Sequence, residues 1–363
     1  MRTVTDATQP DKLDDLDRRI VAALQAAPRA SWSQLGSVVA VSETTVMRRV
    51  QRLRDNGTLI ILAAPDPLRC ALGQPVHVYF ETAPGEAPDL ARSLAERGDV
   101  RYVSLLAGTR DIMCELISPN HRELGRLLMG QLQKSEAVQR TTTAVVIKQF
   151  KTSDQWSGTL LGPGSAVDAN GRDLTRKDAA APLDEIDTRL LEALSVDGRR
   201  TYSDLSHDLQ LSETAVARRV STLTAENRVY FLAMVDPVAL GFELEVLMHL
   251  RVEPASLEHI AAALTATKEV RYISATTGLS DLTCDAVFRD TDDLYTFVTR
   301  TIGGIRGILA IDVDVVLESV KREYRYPLFT AAMASDVRPP TTKRPIESSS
   351  RRRPATAGTR AKR

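Results

Sequence analysis

The sequence predicts an α+β protein that contains two tandem copies of one unit, each with a helical part followed by a sheet part. Nearly the same twelve residues occur twice, as SETTVMRRVQRL at 42–53 and SETAVARRVSTL at 212–223. At the same offset of 170 residues, VRYVSLLAGTRDIMCEL (100–116) matches VRYISATTGLSDLTCDA (270–286). Because two separate blocks match at one offset, the whole unit is duplicated, and its length is that of a domain pair rather than a solenoid repeat.

The period of the apolar residues changes in the middle of each copy. Residues 13–56 have helical spacing, with Leu16, Ile20 and Leu24 recurring at every fourth position. From Leu59 onwards, short apolar runs typical of strands are interrupted by two helical stretches, and this order predicts a ferredoxin-like βαββαβ sheet domain. In the first copy strands are expected at 58–63, 76–80, 102–107, 112–117 and 143–150 and helices at 86–97 and 121–133; in the second copy strands are expected at 244–252, 271–277, 281–288 and 308–320.

The repeated twelve-residue segment is predicted to be the second helix of a helix-turn-helix. Ser42 and Ser212 are good N-cap residues, and each is followed by a glutamate that suits the helix dipole. A short helix is expected before each one, at 32–40 and 202–210. The alternative is an amphipathic helix with a solvated arginine face, and the presence of two capped copies argues against it.

Short hydroxyl side chains at the start of this helix, followed one turn later by guanidinium groups, suit a helix whose N-terminal end enters the major groove of double-stranded DNA. The expected DNA contacts are Thr44, Thr45, Arg48, Arg49, Arg52, Thr214, Arg218 and Arg219.

The two motifs differ in charge. Residues 28–57 carry five Arg against two carboxylates, whereas residues 198–227 carry four Arg against four carboxylates. Along the helix itself, Arg52 is replaced by Thr222. Each phosphate contact steepens the salt dependence of DNA binding by about one unit of slope, so we expect the N-terminal motif to dominate affinity.

The composition excludes several classes of protein. No apolar run approaches the roughly 20 residues of a membrane helix, and three scattered cysteines indicate a reducing compartment, so a cytoplasmic location without membrane contact is expected. The five histidines share no ligand spacing with one another or with a cysteine, and they are expected at surface or half-buried positions. No catalytic residue, metal site or cofactor is predicted.

These patterns together resemble the Lrp/AsnC family of transcriptional regulators. The resemblance rests on LDDLDRRIVAAL (13–24) and LDEIDTRLLEAL (183–194), on the repeated helix, and on a G-x-x-D turn between the second and third strands of each sheet domain. It covers residues 13–151 and 183–321. Unlike the usual member of this family, the chain holds two complete copies.

The resemblance implies a sheet domain that dimerises and holds a small-molecule effector, often an amino acid, near the G-x-x-D turn. Glycine in such a turn frees backbone N–H groups for a carboxylate, and the aspartate suits an ammonium group; a purely structural turn is the alternative. Arg110 is replaced by Ser280 in the second copy, so the two turns need not bind the same ligand. The expected effector residues are Gly108, Thr109, Arg110, Asp111, Gly278, Leu279, Ser280 and Asp281.

The sheet domains are expected to self-associate as a pseudo-dimer, within or between chains, because two helix-turn-helix units normally face one pseudo-palindromic operator. The expected domains are a helix-turn-helix at 13–60, a sheet domain at 61–151, a flexible linker at 152–182, a second helix-turn-helix at 183–230, a second sheet domain at 231–328, and a disordered basic tail at 335–363.

A different function is associated with similar tandem proteins, the sirohaem decarboxylases, which act on a tetrapyrrole through histidines near the middle strands. Segments 102–117 and 272–287 contain no histidine. The sequence therefore favours the regulator over the enzyme.

Overall fold

The computed structural model describes residues 12–132, 136–153, 156 and 181–322. The expected tail and most of the expected linker lie outside these ranges. The first copy contains α1 (Asp15–Ala26), α2 (Trp32–Val39), α3 (Glu43–Asp55), β1 (Leu59–Pro65), β2 (Gln74–Thr82), α4 (Ala87–Ala95), β3 (Val100–Ala107), β4 (Ile112–Ser118), α5 (His121–Arg126) and β5 (Val138–Lys151). The second copy contains α6 (Glu185–Val196), α7 (Tyr202–Leu209), α8 (Glu213–Ala225), β6 (Val229–Val235), β7 (Leu244–Val252), α9 (Leu257–Thr265), β8 (Val270–Thr276), β9 (Leu282–Phe288), α10 (Thr291–Thr296) and β10 (Ile308–Arg322).

Each helical domain is held together by the apolar stripe of its third helix. Val46, Val50 and Leu53 of α3 are fully buried in one core with Ile20 and Leu24 of α1. Burying an aliphatic side chain of this size contributes about 1.5–3 kcal/mol. The stripe thus fixes which face of α3 is turned toward solvent.

A two-stranded sheet joins the two helical domains. Strands β1 and β6 pair antiparallel, with Leu62 opposite Leu232. Ile61 of β1 lies in the core of the first helical domain, and Ala63 of the same strand lies in the core of the second. This sheet straddles the domain boundaries expected at 60/61 and 230/231, because its alternating side chains serve both helical domains.

The remaining strands form two sheets of the α+β, ferredoxin-like type, as the sequence predicted. The strand order is β3-β4-β2-β5 in the first copy and β10-β7-β9-β8 in the second. Edge strands of the two sheets then pair with each other, β5 with β8 and β10 with β3, which closes an eight-stranded barrel within one chain. The sequence left open whether the sheet domains pair within or between chains, and this structure has the pairing within the chain.

Lysines at the ends of β5 and β10 reinforce this closure. Lys151 donates to the carbonyls of Thr265 and Thr267 (3.0 and 3.2 Å), just where α9 of the other copy ends. Lys321 makes the corresponding contacts after α4, at 2.9 Å each. A cation at a helix C-terminus interacts favourably with the helix dipole, so each copy stabilises a helix of the other.

Candidate nucleic-acid interface and effector region

The recognition helices α3 and α8 begin as the sequence predicted. The Ser42 hydroxyl accepts a hydrogen bond from the Thr45 N–H, and the Ser212 hydroxyl accepts one from the Ala215 N–H, both at 3.2 Å. The preceding helix ends in each copy at a left-handed residue, Ala40 or Gln210 (φ 56°). The same turn geometry and the same cap therefore orient the solvent face of both helices.

Two of the expected DNA contacts are engaged within the protein. Arg49 donates to Asp14 and, at 3.0 Å, to Asp17 at the start of α1, and the hydrogen bond from Arg49 lowers the pKa of the Asp14 carboxyl. Arg219 donates to Asp184 and Asp187 at 2.7 Å each. These arginines link the recognition helix to the first helix of its own domain, which orients the recognition helix.

Arg52 has a mixed position. It contacts Asp17, which is 1% exposed, but the Arg52 side chain itself is 51% exposed. Because Asp17 already pairs with Arg49, Arg52 completes a small ionic cluster and still presents part of its guanidinium to solvent.

Thr44, Arg48, Thr214 and Arg218 lie on the exposed face of the two recognition helices. Over the ranges that the structure describes, Arg48 and Arg218 have no ion-pair partner. These four side chains are thus available at the predicted face, while Thr45 is half-buried and contacts the Ser42 hydroxyl at 2.9 Å.

Three of the arginines counted in the charge comparison lie between the copies. Arg29 donates to the carbonyls of Gly198 and Arg200, and Arg199 donates to those of Pro28 and Ala30. The charge comparison counted Arg29 and Arg199 within the two motifs, and loop carbonyls of the opposite copy accept hydrogen bonds from both side chains. Arg54 also faces the other copy, with Asp197 at 2.9 Å.

The aspartates of the two G-x-x-D turns bond to backbone. The Asp111 carboxylate accepts from the N–H and hydroxyl of Thr82 at 2.6 and 2.9 Å, and the Asp281 carboxylate accepts from the Val252 N–H at 2.8 Å. Each aspartate therefore fastens its turn to the end of a neighbouring strand. Effector binding through these carboxylates stays a prediction.

The rest of the two turns differs in what it meets. Thr109 and Arg110 contact Asp312 and Asp314 of β10, and Arg110 approaches Asp314 to 2.6 Å. A Cβ on Gly108 would stand 2.0 Å from the Asp314 carboxylate, so only glycine fits there. At the position equivalent to Asp314 the first copy has Ala144, next to Gly278, and Leu279 is 74% exposed. Asp312 and Asp314 thus occupy the space beside the first turn, whereas the second turn has no such carboxylate beside it among the described residues.

Two histidines were wrongly expected near the surface. His77 and His249 are 0% and 4% exposed, because β2 and β7 turn them toward the partner sheet across the barrel. His77 lies 3.1 Å from Glu115, which also pairs with Arg101, while His249 lies 3.5 Å from Asp314. Burial lowers the pKa of His249. Sequence spacing did not identify these clusters, since their members come from several strands.

A cavity of about 60 Å³, lined by both apolar and charged side chains, lies inside the barrel. Both copies line it, among them Tyr102 and Glu115 from the first and Arg271 and Asp285 from the second. No group of metal-ligating side chains is found in the described part of the chain. Both sheet domains thus border this one small volume.

The fold and these sites define a tandem helix-turn-helix protein whose two sheet domains pair with each other. The chain belongs to the Lrp/AsnC family of transcriptional regulators. The AsnC-type helix-turn-helix domain matches residues 13–54 and 183–224, and the Lrp/AsnC ligand binding domain matches 76–156 and 245–326.

Relatives match one copy at a time. An uncharacterised HTH-type transcriptional regulator of Pyrococcus abyssi is 31% identical over 141 residues, which are 39% of this chain and 89% of that protein. The HTH-type transcriptional regulator Ptr1 of Methanocaldococcus jannaschii is 29% identical over 147 residues, which are 40% of this chain and 99% of Ptr1. Both sources are archaeal, so a bacterial origin does not follow from them.

The two-copy arrangement as a whole is similar to the siroheme decarboxylase NirDL. The TM-score is 0.60 at 14% identity, over 87% of this chain and 95% of that one. Identity at this level shows a shared fold. Among the helices that the structure describes, none has the length and hydropathy of a membrane span.

Proposed function

We propose that this chain is a sequence-specific regulator in which a single polypeptide presents two recognition helices to one double-stranded DNA operator. Two observations support this. Arg29 and Arg199 each donate hydrogen bonds to loop carbonyls of the other copy, and the barrel closes within the chain. A usual single-copy regulator needs two chains for this arrangement. The duplication supplies both halves, and the self-association expected of the sheet domains is met internally.

Direct DNA contact is assigned to the exposed side chains of the recognition helices. Thr44 and Arg48 in the first copy, and Thr214 and Arg218 in the second, are positioned to reach base edges or phosphates. Arg49 and Arg219 act as positioning residues through their carboxylate partners. Arg52 contributes additional positive potential at the first helix.

The test is to sequence DNA fragments recovered with the protein and to measure binding of the enriched fragment by fluorescence anisotropy. The proposal expects an enriched motif with two related half-sites and binding that weakens as salt rises. Equal binding to the enriched fragment and to an unrelated fragment of the same length would contradict it.

A small-molecule effector, such as an amino acid, is proposed for the sheet domains. The supporting observations are the two matched ligand binding domains and the cavity that both of them line. Binding of an effector is expected to change operator affinity, because ligand and DNA share one folded unit.

A tetrapyrrole decarboxylase is the second candidate, and the similarity in fold to NirDL and the buried His77 and His249 favour considering it. The cavity of about 60 Å³ has room for about two water molecules, at roughly 30 Å³ for each water in the liquid, far less than a tetrapyrrole occupies. We therefore propose a regulator without catalytic residues. Mixing with sirohaem and recording absorbance near 400 nm tests this: a saturable spectral change with turnover would support the enzyme instead.

A further inference from the structure

We infer that Met47 of the first recognition helix contacts the methyl group of a thymine in the major groove, and that its counterpart Ala217 makes no such contact. The two half-sites of the operator therefore differ at one base pair, and the chain binds its operator in one direction. This inference rests on the proposed function, because it requires that both recognition helices bind DNA.

Met47 is an exposed apolar residue on a helix face that is otherwise polar. Val46, Val50 and Leu53 of the same helix are buried in the core of the domain. Met47 lies outside that core, and 47% of it is exposed. Residues three and four apart are neighbours on a helix surface, so Met47 adjoins Thr44, an exposed residue assigned to DNA contact.

The position of Met47 within the helix matters more than its exposure, because single apolar residues are common on protein surfaces. Helix-turn-helix proteins contact base edges with the N-terminal residues of the recognition helix. Helix α3 begins at Glu43, so Met47 lies about one turn into it. In the major groove the apolar group that a base edge presents is the methyl group of thymine. The unbranched, polarizable side chain of methionine adapts well to such a contact.

Gln51, one turn further along the same face, is already engaged within the helix. Its amide donates to the Asp55 carboxylate at 2.7 Å. This hydrogen bond directs the amide toward the C-terminal end of α3, away from the residues that enter the groove. Met47 is thus better placed than Gln51 to distinguish one base pair from another.

The second recognition helix has matching polar residues without the methionine. Its Thr214 and Arg218 are identical to the corresponding residues of the first helix, so the two half-sites share the base pairs that these side chains contact. Ala217 replaces Met47, ends at Cβ and is half-buried. The half-sites are therefore expected to differ at the base pair that Met47 contacts.

The experiment uses deoxyuridine, which differs from thymidine only in lacking the methyl group. Each thymine of the enriched DNA fragment is replaced in turn, and binding of the full chain is measured by fluorescence anisotropy for the wild type and for Met47→Ala. We expect a thymine in one half-site at which the replacement weakens wild-type binding about fourfold, the effect of burying one methyl-sized group. Met47→Ala should no longer distinguish thymine from deoxyuridine at that position.

Two further variants sharpen the comparison. Met129→Ala removes a methionine of the first sheet domain that is 74% exposed, and it should respond to every replacement as the wild type does. Ala217→Met should gain sensitivity to the methyl group when thymine is placed at the matching position of the second half-site. Melting curves show whether each variant is folded; Met47→Ala introduces a strong helix former at an exposed position and should be.

A wild-type chain that responds to no replacement, or a Met47→Ala chain that responds to all of them as the wild type does, would overturn the assignment. So would a folded Ala217→Met chain that gains no sensitivity. In each of these cases the chain still prefers the enriched fragment, so the proposed function remains in place. Equal binding of the wild type to the enriched fragment and to an unrelated one would contradict the proposed function, and the assignment of Met47 with it.

Discussion

Arg29 and Arg199 occupy equivalent positions in the two copies, and each donates its guanidinium to two backbone carbonyls in the loop of the other. Arg199 also stacks on Trp32, 3.8 Å from the ring centroid, and Arg29 on Tyr202 at 4.8 Å. A planar guanidinium suits both the paired carbonyls and the aromatic face. This reciprocal exchange fixes one helical domain against the other.

Removing one of these arginines should therefore destabilise the chain. Hydrogen bonds to a charged group contribute about 1.5–3 kcal/mol, so Arg29→Ala is expected to lower the free energy of unfolding by an amount of that order. Urea denaturation measures it. Arg48→Ala, an exposed arginine, is the matched control and should leave the midpoint nearly unchanged; equal losses in both variants would refute the assignment.

Arg48 and Arg49 of α3 are expected to have different roles: Arg48 contacts DNA, and Arg49 positions the helix. Arg48→Ala should weaken operator binding by about 1–3 kcal/mol if it reads a base, with little change in stability. Arg49→Ala should lower stability first, because Asp14 loses its ion-pair partner and buried Asp17 keeps only Arg52. Anisotropy titrations and melting curves on both variants distinguish the two roles. A loss of stability in Arg48→Ala with a loss of DNA binding alone in Arg49→Ala would contradict the assignment.

The two recognition helices are expected to contribute unequally. Arg48 and Arg52 supply positive charge at the first helix, whereas Thr222 replaces the second of these in the other copy. Arg48→Ala should therefore cost more affinity than Arg218→Ala. Titrations at several salt concentrations check this, and identical losses with identical changes in salt slope would mean that the copies are equivalent.

Asp111 is expected to contribute to the stability of the fold. Asp111→Ala removes the acceptor for the Thr82 N–H and hydroxyl, so stability should fall by about 1–3 kcal/mol. Thermal melting measures the loss. An unchanged melting temperature combined with loss of effector binding would instead favour a ligand role for the turn.

Because of Lys151, the stability of the fold is expected to depend on pH in the alkaline range. Burial lowers its pKa from 10.5 to about 8, so the folded state binds fewer protons than the unfolded state between these values. Stability relative to a Lys151→Met variant should accordingly rise as pH increases from about 8 toward 10.5. Urea midpoints of both proteins at several pH values test it, and a relative decrease would contradict the assignment.

Local patterns predicted much of the fold and part of the site. The stripe of Val46, Val50 and Leu53, the caps at Ser42 and Ser212, and the strand order of the sheet domains follow from spacing and capping chemistry. Each depends on residues near one another in the chain, so sequence alone contains the signal.

Contacts across the duplication were not predictable in this way. Arg49 meets Asp17 across 32 residues, and Arg29 meets Gly198 across 169. The helix pattern placed Arg49 among the expected DNA contacts, and the charge comparison counted Arg29 with the first motif. Neither kind of reasoning distinguishes a solvated guanidinium from one that is already paired. Likewise, His77 was expected to be accessible because its buried neighbours come from other strands and from the other copy.

The number of chains bound per operator tests the central claim most directly. Native mass spectrometry of the chain with an enriched DNA fragment that carries both half-sites gives this ratio, and further assembly of chains would not alter it. A single polypeptide with two recognition helices predicts one chain for every two half-sites. Two chains for every two half-sites, each binding through one helix-turn-helix, would contradict it.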